Sequence, residues 1–184
     1  MATREGQLKI SSAWDYSSHD LRRFLDTYQY QAPLTERLDQ LARHHLTQTS
    51  IMEIVLWKVN RYVEITAQVL DDLFDLVSLE RKEHHRGESV LDALLGTRGI
   101  DLPMASTLLR FQNPKVFQII DRRAYRAIYG ENYRLYSATS NKRKIQVYFA
   151  YLDKLNEFCD KMKVEFDTAD RLLYEFDKKE NGKL

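Results

Sequence analysis

Asp121 stands between an apolar run, Phe117-Gln118-Ile119-Ile120, and two arginines, Arg122 and Arg123. Upstream, Thr97-Arg98-Gly99-Ile100-Asp101 forms a glycine turn ahead of Leu102-Pro103, where a helix should begin. Two helices joined by such a turn leave the first amide N–H groups of the second without internal partners. The helix dipole adds partial positive charge there, so a phosphate oxygen can dock on backbone alone. Glycine suits the turn because the chain must bend with positive φ and because a Cβ would hold the phosphate away. An acid at a fixed distance beyond the turn can then act on whatever hangs from that phosphate. Asp121 also has a plainer reading, as the N-cap of a helix from Arg122 to Tyr129.

These groups must be positioned by helices, because helical periodicity dominates the chain. Ser17-Ser18-His19-Asp20 caps a helix running to about Tyr30, and Pro33 separates it from a second over Thr35 to Leu46. Behind Ser50 as a candidate N-cap, Ile51, Ile54, Val55, Val59, Tyr62 and Val63 recur at steps of three and four, an amphipathic pattern. Val69, Leu70, Leu73, Phe74 and Val77 repeat it. The polar run from Glu80 to Glu88 contains Gly87 and reads as a loop or frayed helix end. Ser89 to Leu95 is a short helix with Leu91, Leu94 and Leu95 inward. After a Tyr-rich loop from Gly130 to Ser137 comes a long helix burying Ile145, Phe149, Leu152, Leu155, Cys159 and Met162. A last helix from Thr168 to about Phe176 carries Leu172, Leu173 and Phe176. Val116 to Ile120 is strand-like but too short to found a sheet, so the expected class is all-α, a compact helical bundle.

Further groups invite a function and also admit a bland one. Lys142, Arg143 and Lys144 follow Ser140-Asn141 at a helix start, where the dipole disfavours cations; a phosphate partner relieves that conflict, and a solvated basic turn is the alternative. Tyr125, Tyr129, Tyr133 and Tyr136 can stack a base or simply pack between helices. Adjacent histidines on a helix point in different directions, and neither His44-His45 nor His84-His85 has an acid at i+4 shared by both. No metal is therefore expected, and His84-His85, in a charged run, is expected to be solvated.

The segment from Leu91 to Arg126 resembles the helix-hairpin-helix and catalytic-aspartate block of the HhH-GPD superfamily, the base-excision DNA glycosylases. Their hairpin, L-P-G-[VI]-G-x-x-[TS]-A, overlies Thr97 to Ala105, and Phe117-Gln118-Ile119-Ile120-Asp121 matches their F-P-[IV]-[ILV]-D, with Ala105 and Asp121 sixteen residues apart. The resemblance implies a flipped nucleotide and cleavage of its N-glycosidic bond through an oxocarbenium-like sugar. Asp121 would stabilise that cation or activate water, with Arg122 and Arg123 helping to keep it ionised. The family keeps its acid at such a cap position, so both roles of Asp121 can hold at once. Bifunctional relatives carry a lysine where Pro103 stands, so the implied reaction is monofunctional hydrolysis. DNA would be held on its backbone by Thr97, Arg98, Gly99, Ile100 and Asp101, with Arg122, Arg123, Lys142, Arg143 and Lys144 around them. On the helix resembling the family's base-stack plug, Asn60 would be the plug with Trp57, Lys58 and Arg61 beside it, and Tyr125 would line the base pocket. Asp101 replaces the hairpin's second glycine; it is a good N-cap for Leu102, and its carboxylate competes for the amides a phosphate would use. A second outcome is therefore the same fold kept as a module that binds DNA or a protein partner without catalysis.

Composition bounds these readings. Of 184 residues 43% are hydrophobic and 30% charged, a globular balance that permits a single domain over 1–184, or lobes at about 50–130 and at 1–49 plus 131–184. The formal charge of +1 gives no global positive field, so any basic surface is local. Cys159 is the only cysteine, which excludes an internal disulfide, a cysteine-held iron–sulfur cluster and a Cys-rich zinc site; no cofactor is expected. No apolar run reaches signal-peptide or membrane-span character, so no membrane partner and a cytoplasmic location are expected.

Overall fold

The structure is a computed structural model and describes residues 17, 31–40, 46–59, 62–133 and 135–183. Among them are eight α-helices, three short 3-10 helices and no strand. None of these helices is long and apolar enough to cross a membrane. The helix expected over 18–30 and the pair His44-His45 lie outside the described residues. The chain divides into two compact units, residues 1–62 and 63–184.

The first unit contains α1 (Ala32–Asp39) and α2 (Gln48–Lys58). Pro33 lies in the first turn of α1 rather than ahead of it, where its missing N–H costs nothing. Thr47, not Ser50, caps α2, and the two exchange side-chain and backbone hydrogen bonds in a capping box. Trp57 Nε1 donates to Thr35 Oγ1 at 2.9 Å, and Arg37 reaches Glu53 at 2.6 Å and Tyr62 Oη at 2.8 Å. The expected burial of α2 fails: Ile51, Ile54, Val55 and Val59 are all exposed. Six of the seven positions from Ile51 to Trp57, all but Glu53, are apolar, so the greasy surface wraps the helix instead of forming one stripe. Among the described residues its one helical neighbour in the unit is the eight-residue α1.

The second unit holds the core. It runs through α3 (Ala67–Asp75), 3-10 turns at Leu76–Ser78 and His84–Gly87, α4 (Glu88–Gly96), α5 (Leu102–Gln112), α6 (Arg122–Tyr129), α7 (Asn141–Met162), a 3-10 turn at Phe166–Thr168, and α8 (Ala169–Glu180). Leu91, Leu94, Leu102, Leu109, Phe117, Ile120, Leu152 and Leu155 are sealed from solvent. Of the α3 stripe Leu73 is buried and Val69 packs half-buried against the core, while Leu70, Phe74 and Val77 stay exposed; Met162, Leu172 and Phe176 are likewise exposed. Helix α7 also buries Tyr148 and Tyr151, a second face the expected stripe lacked.

Two polar devices connect the elements. Asn113, buried at the end of α5, donates its side-chain amide to the carbonyls of Leu76 at 2.9 Å and Leu79 at 3.0 Å. Leu76 O also accepts the Leu79 N–H at 3.2 Å, so the amide adds a second bond there and supplies a partner for Leu79 O. Gly87, at the mouth of α4, faces the Phe117 ring so closely that an added Cβ would lie 2.8 Å from Cζ. Its φ of −86° is ordinary, so the requirement for glycine is space alone. Since Phe117 is itself sealed in the core, it cannot swing aside. Gly87→Ala is therefore expected to lower stability by about 1–3 kcal/mol, the usual cost of overpacking, read as a lower chemical-denaturation midpoint.

Candidate functional site

Asp121 is set in place by a segment with no regular structure of its own. Residues 117–120 form no strand, and no strand lies among the described residues to pair with them. Instead three buried side chains satisfy their backbone. Tyr148 Oη donates to Gln118 O at 3.0 Å, Tyr151 Oη donates to Ile119 O at 3.0 Å, and Ile120 N–H donates to Ser106 Oγ at 3.2 Å. Burial pushes both tyrosine hydroxyls well above their usual range, so they remain donors at any physiological pH. The Gln118 amide, also sealed, donates to the carbonyls of Pro114 and Phe117, and its oxygen accepts from Asp170 N–H at 3.4 Å. None of these residues appeared among the expected site residues. The signal was present as tyrosines three apart on the helix that also carries Ile145 and Leu152.

Asp121 then caps α6, with Oδ1 accepting the Ala124 N–H at 2.7 Å. The second carboxylate oxygen makes no hydrogen bond among the described residues. Asp121 lines a cleft of about 400 Å³ together with Asp101, Pro103, Arg122, Tyr133, Tyr136 and the segment around Ser137. The acid and the hairpin thus meet on one cavity.

The hairpin is built as its residues suggest. Ile100 N–H donates to Thr97 O at 3.1 Å, closing a turn whose third residue, Gly99, has φ +89°, and Thr97 Oγ1 bonds back to Ala93 O at 3.0 Å. Arg98 and Gly99 are exposed, whereas Ile100 is buried and holds the turn to the core. Asp101 caps α5 through a 2.7 Å bond from Leu102 N–H.

Several cations are committed elsewhere. Lys144 is buried and lies 2.8 Å from Asp101 Oδ1 while donating to Ser137 O at 3.1 Å. The cation conflict at the start of α7 is thus relieved by Asp101, and no phosphate is needed for Lys144. Arg123 turns away from Asp121 and donates to Asp177 Oδ2 and Gly182 O, both at 3.0 Å. Arg126 joins it in a two-pronged pair with the buried Asp177, at 2.7 and 2.8 Å. Asp177, from α8, was not anticipated. Arg98, Arg122, Lys142 and Arg143 remain exposed with no side-chain partner among the described residues.

The aromatic set divides. Tyr125 stacks on Tyr129 with centroids 4.4 Å apart and meets the Tyr133 ring edge-on at 5.2 Å, while Tyr133 and the exposed Tyr136 line the cleft. Tyr125 supports the wall through Tyr133 and does not form it. Trp57 is tied to Thr35 within the first unit, and Asn60 and Arg61 lie outside the described residues. One expectation is reversed outright: His84 is 1% exposed, with Asp153 of α7 beside both it and His85. No family model, curated protein or solved structure matches the chain.

Proposed function

We propose that the protein is a monofunctional DNA glycosylase-like hydrolase of the HhH-GPD type, with Asp121 acting at the sugar of an extruded nucleotide. The carrying observation is that Asp121 and Asp101, the last residue of the hairpin, line one cleft. Its volume suits one nucleoside, and Tyr133 and Tyr136 offer ring faces on which a base can stack. One oxygen of Asp121 is spent on the helix cap and the other makes no hydrogen bond among the described residues, so the carboxylate is fixed without being saturated. Arg122 supplies the cation at the cleft in place of the pair expected from the sequence. The test is release of uracil, alkylated purines or deaminated purines from duplex oligonucleotides by the wild type and by Asp121→Asn.

A second reading, a binding module without catalysis, is favoured by Asp101. Its carboxylate occupies the Leu102 amide and brings negative charge to the hairpin, although Lys144 balances it. Both readings share backbone binding through Arg98, Lys142 and Arg143. Affinity for an undamaged duplex should therefore fall steeply with salt, and Lys142→Ala with Arg143→Ala should each lower the slope of log K against log salt by about one. Fluorescence anisotropy between low and physiological salt measures this. Weak binding with no salt dependence would direct the search to a protein partner.

A further inference from the structure

We propose that His84, His85 and Asp153 form a binding site for a divalent transition ion of the zinc class, independent of the Asp121 cleft. The two histidines occupy consecutive positions of the 3-10 turn His84–Gly87, and Asp153 projects from the middle of α7. One potential ligand atom from each of the three lies within 4.8 Å of the other two. His84 Nε2 is 3.1 Å from Asp153 Oδ1, and His85 Nε2 is 3.7 Å from Oδ2. Neighbouring ligands around a tetrahedral zinc stand about 3.3 Å apart, from bond lengths near 2.0–2.2 Å. The observed spacings bracket that value.

His84 is the observation that asks for a ligand. Its imidazole is 1% exposed, yet neither ring nitrogen has a hydrogen-bond partner among the described residues. Its nearest polar neighbour is Asp153 Oδ1, 3.1 Å from Nε2. A buried polar group left so is costly; a metal on Nε2 would satisfy that nitrogen, while Nδ1 keeps no partner among the described residues. The rings are held by packing: Phe149, one turn before Asp153, lies 5.6 Å from His84 and 4.8 Å edge-on from His85. His85 and Asp153 have side chains 60% exposed. They are free to close on an ion, and solvent can fill the remaining position. Two imidazoles and one carboxylate select zinc, nickel or cobalt over calcium or magnesium, which take oxygen ligands.

The test uses the untagged full chain, stripped with chelator and titrated with Zn²⁺ alone. Expected are one saturable Zn²⁺ per chain, a rise in Tm, and tetrahedral visible bands when Co²⁺ replaces it. His85→Ala and Asp153→Ala change only exposed groups and should weaken Zn²⁺ by about 100-fold or more, beyond the 10–100-fold typical of supporting residues. A His44→Ala/His45→Ala variant should bind as the wild type does. Absence of stoichiometric Zn²⁺, affinity unchanged in His85→Ala and Asp153→Ala, or binding lost in the His44/His45 variant would each overturn the site.

Discussion

Asp121→Asn should leave the fold untouched and reduce base release by about 10²–10⁴-fold, the range of a lost general acid–base group. The two halves of that expectation come from different oxygens. The amide keeps an oxygen to accept the Ala124 N–H, and asparagine caps helices as well as aspartate does. The charge that would face a cationic sugar is gone. Asp121→Ala removes both contributions and should in addition cost about 1 kcal/mol of stability, the usual worth of an N-cap. Comparing thermal melts with single-turnover excision for the pair separates cap from catalyst. Equal excision by Asp121→Asn and wild type would end the catalytic role, and lower stability for Asp121→Asn would show that the side chain is chiefly structural.

The largest stability effect is expected at Asp177. Its carboxylate is sealed from solvent and accepts from Arg123, twice from Arg126, and from Asn181. Hydrogen bonds from Arg126 above all, with those of Asn181 and Arg123, lower its pKa to about 2 from an ordinary 3.8. Asp177→Ala strands two guanidiniums, and breaking such a pair costs about 2–4 kcal/mol here, toward the low end for buried pairs because both arginines keep some solvent access. The pH dependence has a definite sign. A carboxylate whose pKa is depressed by folding stabilises fully above its unfolded value and loses that contribution as pH falls through the folded one. The wild-type advantage over Asp177→Ala should thus be complete above about pH 4 and shrink toward pH 2, between the values 3.8 and about 2. Denaturant titrations of both proteins at pH 7, 4 and 2.5 measure it. A gap that stays constant over that range would mean the ion pairs contribute little. Because Asp177 ties α8 to the helix that Asp121 caps, excision by this variant should also decline near its melting range.

Local signals in the chain were read correctly where the cause is local. Asp101 and Asp121 announce their caps, Gly99 its left-handed turn, and Ser140 the start of α7, because each depends on the residue and its immediate neighbours. What escaped depends on distant partners. Arg123 beside Asp121 invites a local pair, yet its acid lies on α8, fifty-four residues on. Lys144 looks free until α7 is laid against the hairpin that carries Asp101. His84 looks solvated in its charged run because Phe149 and Asp153 are far along the chain. Helix α2 misled for a different reason: apolar residues on every side satisfy a three-and-four pattern without defining an inner face. For the cleft itself, the hairpin, the acid and the tyrosine set were legible, with Tyr133 and Tyr136 on the cleft, but the hydroxyl supports beneath Asp121 were not.

Those supports carry a mechanical consequence. A strand in a sheet can fray from its edge one rung at a time, whereas residues 117–120 hang from hydroxyls belonging to two separate helices. No single rung can open without disturbing a sealed rotamer of Tyr148, Tyr151 or Ser106. The approach to Asp121 therefore has no intermediate looseness: the carboxylate keeps its post for as long as the helices stay packed, and abandons it only when they separate.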